Sequence, residues 1–296
     1  MASTDMNMSK TVMITTGWIE PDPLEAALRD IRVHLVFADS KRLNATWSYD
    51  VRSPFWRLYI NRGRGGRLHV DGRILELVPG IPYLLPAGVH FGTSLEPGVD
   101  GLWQDFVHFS VEGVPAAILR DLIPGVVSVP RGRALDGLVA EWSRYLGKAG
   151  PGDLAQHLWT RSVVHAVLAA AITNADEAAL LRFRAWLERP WQIRPALAIM
   201  AEDPVKAPSN AVLARSCGLG ERQFLRKFRE LTGCTPGRHL REQRIARAAT
   251  ALATGDEPIE RIAARLGFAD RFHFSKTFRM HTGVAPGTYR RMFAGR

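Results

Sequence analysis

Cysteine is almost missing from this chain. Cys217 and Cys234 are the two among 296 residues, too few for a disulfide framework and without the companions that a zinc site needs. Both read as reduced thiols of a soluble cytoplasmic protein. Long apolar runs are missing as well: the most continuous, Val163 to Ile172, is too short to span a bilayer and contains His165, so no membrane partner is expected. Met1 to Ile14 has no apolar run after its lysine, which argues against a secretory signal. The signatures of catalysis are absent too. There is no Gly-x-Ser-x-Gly, His-Glu-x-x-His or phosphate-binding Gly-Lys-Ser/Thr, and no His-x-His pair to begin a metal site. The expectation is therefore no enzyme, with no catalytic residue, no cofactor and no metal.

Acidic charge is scarce in one place only. From Trp191 onward 19 Lys and Arg face 9 Asp and Glu, whereas residues 1–190 hold 20 of each sign, so the whole net charge of +10 lies in the last third. A basic segment beside a neutral one suggests a local polyanion-binding surface.

That basic segment repeats itself at an offset of fifty. Phe224, Phe228, Arg229, Thr232, Gly233, Pro236, Gly237 and Arg241 recur as Phe274, Phe278, Arg279, Thr282, Gly283, Pro286, Gly287 and Arg291, with Arg226 returning as Lys276 and Ala214-Arg215 as Ala264-Arg265. Helix signals divide each copy. Pro208-Ser209-Asn210 opens a helix through Ser216, and Glu221 to Leu231 forms the next. Pro236 begins a long helix to about Ala253. Pro258 starts another that ends before Gly267, and Asp270 caps a last one ending at Gly283. Each copy thus reads as a helix-turn-helix unit. The linker of 18 residues spans roughly 27 Å, comparable with the roughly 34 Å between major grooves on one face of DNA.

Within the first unit Phe224, Phe228 and Leu231 make a buried stripe, which turns Arg222, Leu225, Arg226 and Arg229 outward. The second unit turns Phe272, Ser275, Lys276 and Arg279 out in the same way. An α-helix fits the major groove, where Arg or Lys bonds guanine and apolar groups touch the thymine methyl. Arg222, Arg226 and Lys276 are the base-reading candidates, Arg271 and Arg279 suit phosphates, and His273 lies on the same surface. Phe272 has two readings, contact with thymine or packing on Phe268.

Before the basic segment, short strands punctuated by Gly and Pro run from about Leu43 to Phe109, with Asp71-Gly72 as a two-residue hairpin turn. They predict a small barrel or sandwich. Helical spacing follows, in Leu135, Leu138, Val139, Trp142 and Leu146, then in Leu158, Val163, Val167 and Ala171. Pro151-Gly152 separates these helices and Pro190 ends them. The expected fold is α+β: an antiparallel barrel over residues 1–130, helices for packing or dimerisation over 131–190, and an all-α unit of two helix-turn-helix modules over 191–296.

Residues Arg194 to Phe293 resemble the DNA-binding domain of the AraC/XylS family of bacterial transcription regulators. The likeness is strongest from Ile259 to Asp270 and continues through Phe274-Ser275-Lys276-Thr277-Phe278-Arg279 to Thr282-Gly283, Pro286, Tyr289 and Arg290. It departs at Phe272, where the family often has Ser, and at His273, where Tyr is usual. More faintly, Gly80, Pro86-Ala87-Gly88-Val89-His90 and Trp103 to Phe109 resemble the family's cupin-like effector domain. The resemblance implies an activator of RNA polymerase on asymmetric promoter sites, a small-molecule effector such as a sugar inside the barrel, and a homodimer. Arg57, Tyr59, His90, Trp103, Gln104 and His108 offer the polar donors and aromatic platform that a sugar needs. A barrel that binds nothing and serves as a scaffold is the alternative, and a cupin-type metalloenzyme fused to a DNA-binding module is a third.

Overall fold

The computed structural model describes residues 31–130, 132–146, 153–188 and 192–293. The expectations for Met1 to Ile14, Pro151-Gly152 and Pro190 fall outside these residues. Strands come first: β1 (Arg32–Leu43), β2 (Asp50–Arg52), β3 (Trp56–Asn61), β4 (Gly66–Val70), β5 (Arg73–Leu77), β6 (Pro82–Leu85), β7 (His90–Leu95), β8 (Leu102–Glu112) and the short β9 (Val127–Ser128). They form two sheets, β1-β8-β3-β6-β9 and β2-β7-β4-β5, with every pairing antiparallel. The β4–β5 hairpin turns through Asp71 and Gly72 at φ 49° and 74°, as a two-residue turn requires. β1 begins well before Leu43, where strands were expected. The polar run Asp39-Ser40-Lys41-Arg42 hides it, because an edge strand only half-covered by neighbours tolerates such residues.

β3 explains how the barrel is filled. All six of its residues are buried, since one face meets helices and the other meets the second sheet. Trp56, Leu58 and Ile60 join Leu84, Val107 and Phe109 in a core completed by Trp142, Val163, Val164 and Val167. Arg57, Tyr59 and Asn61 point the opposite way, as strand alternation demands, and Tyr59 meets Leu68, Leu77, Tyr83, Phe91 and Phe106 between the sheets.

The helices follow. α1 (Ala116–Leu122) lies inside the strand order, and α2 (Arg133–Tyr145), α3 (Leu154–Thr173) and α4 (Glu177–Glu188) cover the five-stranded sheet. Ser143 ties α2 down by donating to the buried Asp105 at 2.7 Å, and Arg62 completes the anchor with hydrogen bonds of 2.6 and 3.0 Å to the same carboxylate. Then come α5 (Arg194–Glu202), α6 (Asn210–Ser216), α7 (Glu221–Thr232), the 19-residue α8 (Pro236–Thr254), α9 (Ile259–Arg265), α10 (Arg271–Thr282) and α11 (Pro286–Phe293). Thr235 caps α8 and Asp270 caps α10, each accepting from a backbone N–H in the first turn. Among the described residues no single helix is long and apolar enough to cross a membrane.

The basic helices hold two cores. Phe224 and Phe228 pack with Ile193, Ala196, Met200 and Leu213 in the first. In the second, Phe274, Phe278 and Tyr289 pack with Ile245, Ala248, Leu252 and Ile262, and Phe55 from the loop before β3 enters it. The barrel and the second helix pair therefore share a core.

Candidate functional site

α6–α7 and α9–α10 are the two helix-turn-helix units. α7 and α10 both end on a glycine in the left-handed region, Gly233 at φ 74° and Gly283 at φ 84°, where a side chain would be strained. Each glycine also lies beside the strand-bearing half: a Cβ added at Gly233 would crowd Cβ of Ala117 in α1 at 3.1 Å, and one added at Gly283 would only touch the Asp50 carbonyl in β2 at 3.8 Å.

The repeat changes register at its turns. The N–H of Leu219 donates to the Ala214 carbonyl and that of Phe268 to the Ala263 carbonyl, both at 3.0 Å, so the first helices correspond at one residue less than fifty. Buried Leu213-Ala214 matches buried Ile262-Ala263, which corrects the pairing of Ala214-Arg215 with Ala264-Arg265. The turn after Gly267 has one residue more than the turn after Gly218, and this restores the offset for α7 and α10.

On those helices exposure agrees position by position. Arg222, Arg226 and Arg229 are exposed with Leu225 half-buried, and Phe272, Lys276 and Arg279 are exposed with Ser275 half-buried. Arg271 and His273 are exposed beside them. Many cations of this region are spent on holding helices together: Arg244 donates to the Pro204 carbonyl, Arg247 to that of Ala201, and Arg265 to Glu257. Arg222, Arg229, Arg271, Lys276 and Arg279 have no ion pair among the described residues, and Arg226 has only an exposed one with Glu230 at 3.6 Å. Such a pair in water is weak. His273, not Phe272, rests edge-on against Phe268 at 5.7 Å. Phe272 is 86 % exposed, so packing on Phe268 does not account for it.

The second feature is a cavity of about 50 Å³ inside the barrel. Arg57, Tyr59, Gln104 and His108 line it together with Phe37, Asp39 and Lys41 of β1 and Met292 and Phe293 of α11. Two candidates lie elsewhere. Trp103 is 49 % exposed, on the outer face of β8 that alternation assigns it. His90 is on the other sheet, its Nε2 2.8 Å from Asp50 Oδ1, in an open groove. Neither lines the cavity. The β1 residues were missed because that strand was missed; their spacing of two, from Phe37 to Leu43, was the signal available. Nothing local in the sequence marks Met292 or Phe293.

Arg57 is the most constrained group in the cavity. It is 3 % exposed, its Nε donates to Ser53 Oγ at 3.1 Å and its Nη1 to Tyr59 Oη at 2.8 Å, and its guanidinium sits over the rings of Phe55 and Phe91 at 5.5 and 5.1 Å. Burial acts to lower its pKa, but the phenols of Tyr59, Tyr289 and Tyr49 outweigh this and leave it raised. The group is a permanent cation. From α11, Phe293 stands edge-on to His108 at 5.7 Å, and Tyr49 donates its hydroxyl to the Met292 carbonyl at 3.1 Å.

Residues 213–292 match the family model described as "Helix-turn-helix domain". Regulatory protein SoxS of Salmonella typhimurium is 33 % identical over 100 residues, covering 33 % of this chain and 94 % of SoxS. HTH-type transcriptional activator RhaR of Cronobacter sakazakii is 39 % identical over 75 residues, 25 % of this chain. The chain spans 26 % of the length of RhaR. The structure of ToxT from Vibrio cholerae superposes with a TM-score of 0.51 at 15 % identity, covering 90 % of this chain and 98 % of ToxT. That likeness is one of fold, an antiparallel barrel followed by helix-turn-helix units.

Proposed function

Because the chain belongs to the AraC/XylS family of bacterial transcription regulators, we propose that it binds promoter DNA through α7 and α10. On this reading it activates RNA polymerase, in the cytoplasm, when a small molecule enters the barrel. The observation that carries the DNA-binding reading is the matched exposure of two reading faces whose cations are not used inside the fold. Arg222, Arg226 and Lys276 take the base edges, with Leu225 and Ser275 beside them, and Arg229, Arg271 and Arg279 take phosphates. Phe272 meets thymine methyl groups, and His273 borders it.

The domain division proposed is 1–130 for the sensor, 131–190 for helices that pack and dimerise, and 191–296 for DNA. Exposed Leu154 and Leu158 on α3 and Leu181 on α4 supply apolar surface for a homodimer. Coupling between sensor and DNA is supported by a continuous chain of rings. His108 stacks on Phe55 at 5.2 Å, Phe55 meets Tyr289 at 6.4 Å, and Tyr289 meets Phe278 at 5.2 Å. Phe278, Phe274, Phe268 and His273 continue it at 5.6, 5.1 and 5.7 Å. Such a network transmits a change only when the ligand binds two arrangements differently. On this reading α11, which supplies both the ring of Tyr289 and the cavity's Met292 and Phe293, is the element whose arrangement a ligand would change.

A scaffold barrel is the second reading, favoured by the small cavity, since ligand sites usually have several hundred Å³. Thermal melting of the full chain against sugars, sugar acids and aromatic metabolites separates the two. Stabilisation by any of them supports the sensor, and none supports the scaffold. For the DNA contact, Arg226→Ala will weaken specific binding by about 1–3 kcal/mol and relax preference at one base pair. An unchanged affinity and site preference, read by fluorescence anisotropy on a panel of single-base variants, removes Arg226 from the reading set.

A further inference from the structure

We propose that α10 reads the C5-methyl group of a pyrimidine, whichever base carries it, so that its half of the DNA site accepts 5-methylcytosine in place of thymine and affinity rises when a cytosine there is methylated. This rests on the DNA-binding reading above and names the chemical group that Phe272 recognises.

Phe272 is 86 % exposed, whereas Phe274 and Phe278 of the same helix are fully buried. The rings nearest to it in the chain are engaged elsewhere, Phe268 with Phe274 and with His273. Phe272 stands in the first turn of α10, which Asp270 fixes by accepting from the His273 N–H at 2.7 Å. In a helix-turn-helix unit the residues at this end of the second helix are the ones that meet base edges. Arg271 beside it and Lys276 one turn on are both exposed. An apolar protein partner covering this face would bury those cations without anions, at high cost. A groove walled by phosphates, with a methyl group on its floor, matches the cations and the ring together.

The indifference to the base follows from what a phenyl ring lacks. Thymine shows the major groove an acceptor, O4, and a methyl group, and cytosine shows a donor, its N4 amino group. A side chain with neither donor nor acceptor cannot tell O4 from N4; it registers the methyl. 5-Methylcytosine carries cytosine's amino group and thymine's methyl, so it equals thymine at the tip of Phe272, while plain cytosine leaves a gap there. Lys276 lies four residues on, about 6 Å along the helix against about 3.4 Å per base pair. Its cation therefore reaches a base pair one or two steps away, and its contact does not depend on the methyl. At the matching position α7 has Arg222, which bonds guanine atoms that methylation of a pyrimidine leaves unchanged. The response to methylation belongs to the half of the site under α10.

The test is fluorescence anisotropy of the full chain on the site it selects from random sequence. Each thymine in the patch whose protection Lys276→Ala clears is replaced singly by uracil, which removes the methyl alone. At one thymine, uracil is expected to weaken binding about fourfold, the effect of one buried methyl group. At that same position 5-methylcytosine is expected to bind about fourfold tighter than cytosine. Phe272→Ala, which removes a ring that lies in solvent and outside both cores, is expected to erase both differences. A patch without thymine, indifference to uracil at every thymine, or 5-methylcytosine no tighter than cytosine overturns the proposal, and so does either difference surviving Phe272→Ala. In each of those cases a patch that Lys276→Ala still clears leaves the DNA-binding reading standing, whereas failure to select any site overturns both.

Discussion

Phe55→Ala is expected to cost the fold about 3–5 kcal/mol, the range for deleting a fully buried phenylalanine. Phe55 is 1 % exposed and sits where three parts meet: its ring stacks on His108 of the barrel, lies under Arg57, and turns its edge to Tyr289 of α11. The cavity left behind opens between two units that each have a core of their own, so neither can collapse into it without parting from the other. Thermal melting should show a fall on the order of 10 °C, with lost hydrogen-exchange protection in α10 and α11 as well as in β3. Phe272→Ala is the control, since that ring is in solvent and its loss should leave the melt within about 0.5 kcal/mol. A fall at Phe55 no larger than the control's would mean that barrel and second helix pair do not share a core.

DNA affinity should collapse with salt. If the two reading faces neutralise about six phosphates, raising salt from about 50 to 200 mM will weaken binding roughly a thousandfold, because condensed counterions displaced from the duplex must be displaced against a higher concentration. The unpaired cations on α7 and α10 make this the expected size of effect, and Arg229→Ala or Arg279→Ala should each lower the slope by about one while leaving sequence preference intact. The slope of log affinity against log salt measures it. A slope near zero would rule out groove contact by these helices.

The helix-turn-helix units were the most legible part of the sequence, because their signals are local. Asp270 caps, Gly233 and Gly283 end helices, and Phe224 and Phe228 fix the buried face, each within one or two turns. The slip of one residue between the units was not legible, since it depends on which carbonyl accepts from Leu219 and Phe268. β1 was missed for a related reason: Asp39 to Arg42 look like a loop until β8 pairs beside them. Alternation along β8 separates Trp103 from Gln104 and His108, and the structure adds that Trp103 faces solvent. Phe55 and the tip of α11 were out of reach altogether. An aromatic residue before a strand reads as barrel core, and only the docking of two distant units reveals that it belongs to the other core, or that Met292 and Phe293 line the cavity of the first.

The two probes are alike in placement and unlike in chemistry. α7 offers Arg222 and Arg226, and α10 offers Phe272, His273 and Lys276, so the site they read should be asymmetric. Hydroxyl-radical footprinting of the full chain, on a site selected by it from random sequence, tests this most directly. Two protected patches about one helical turn apart on one face of the duplex are predicted, with Arg226→Ala clearing one and Lys276→Ala the other. A single patch, or both variants clearing the same patch, would contradict the account.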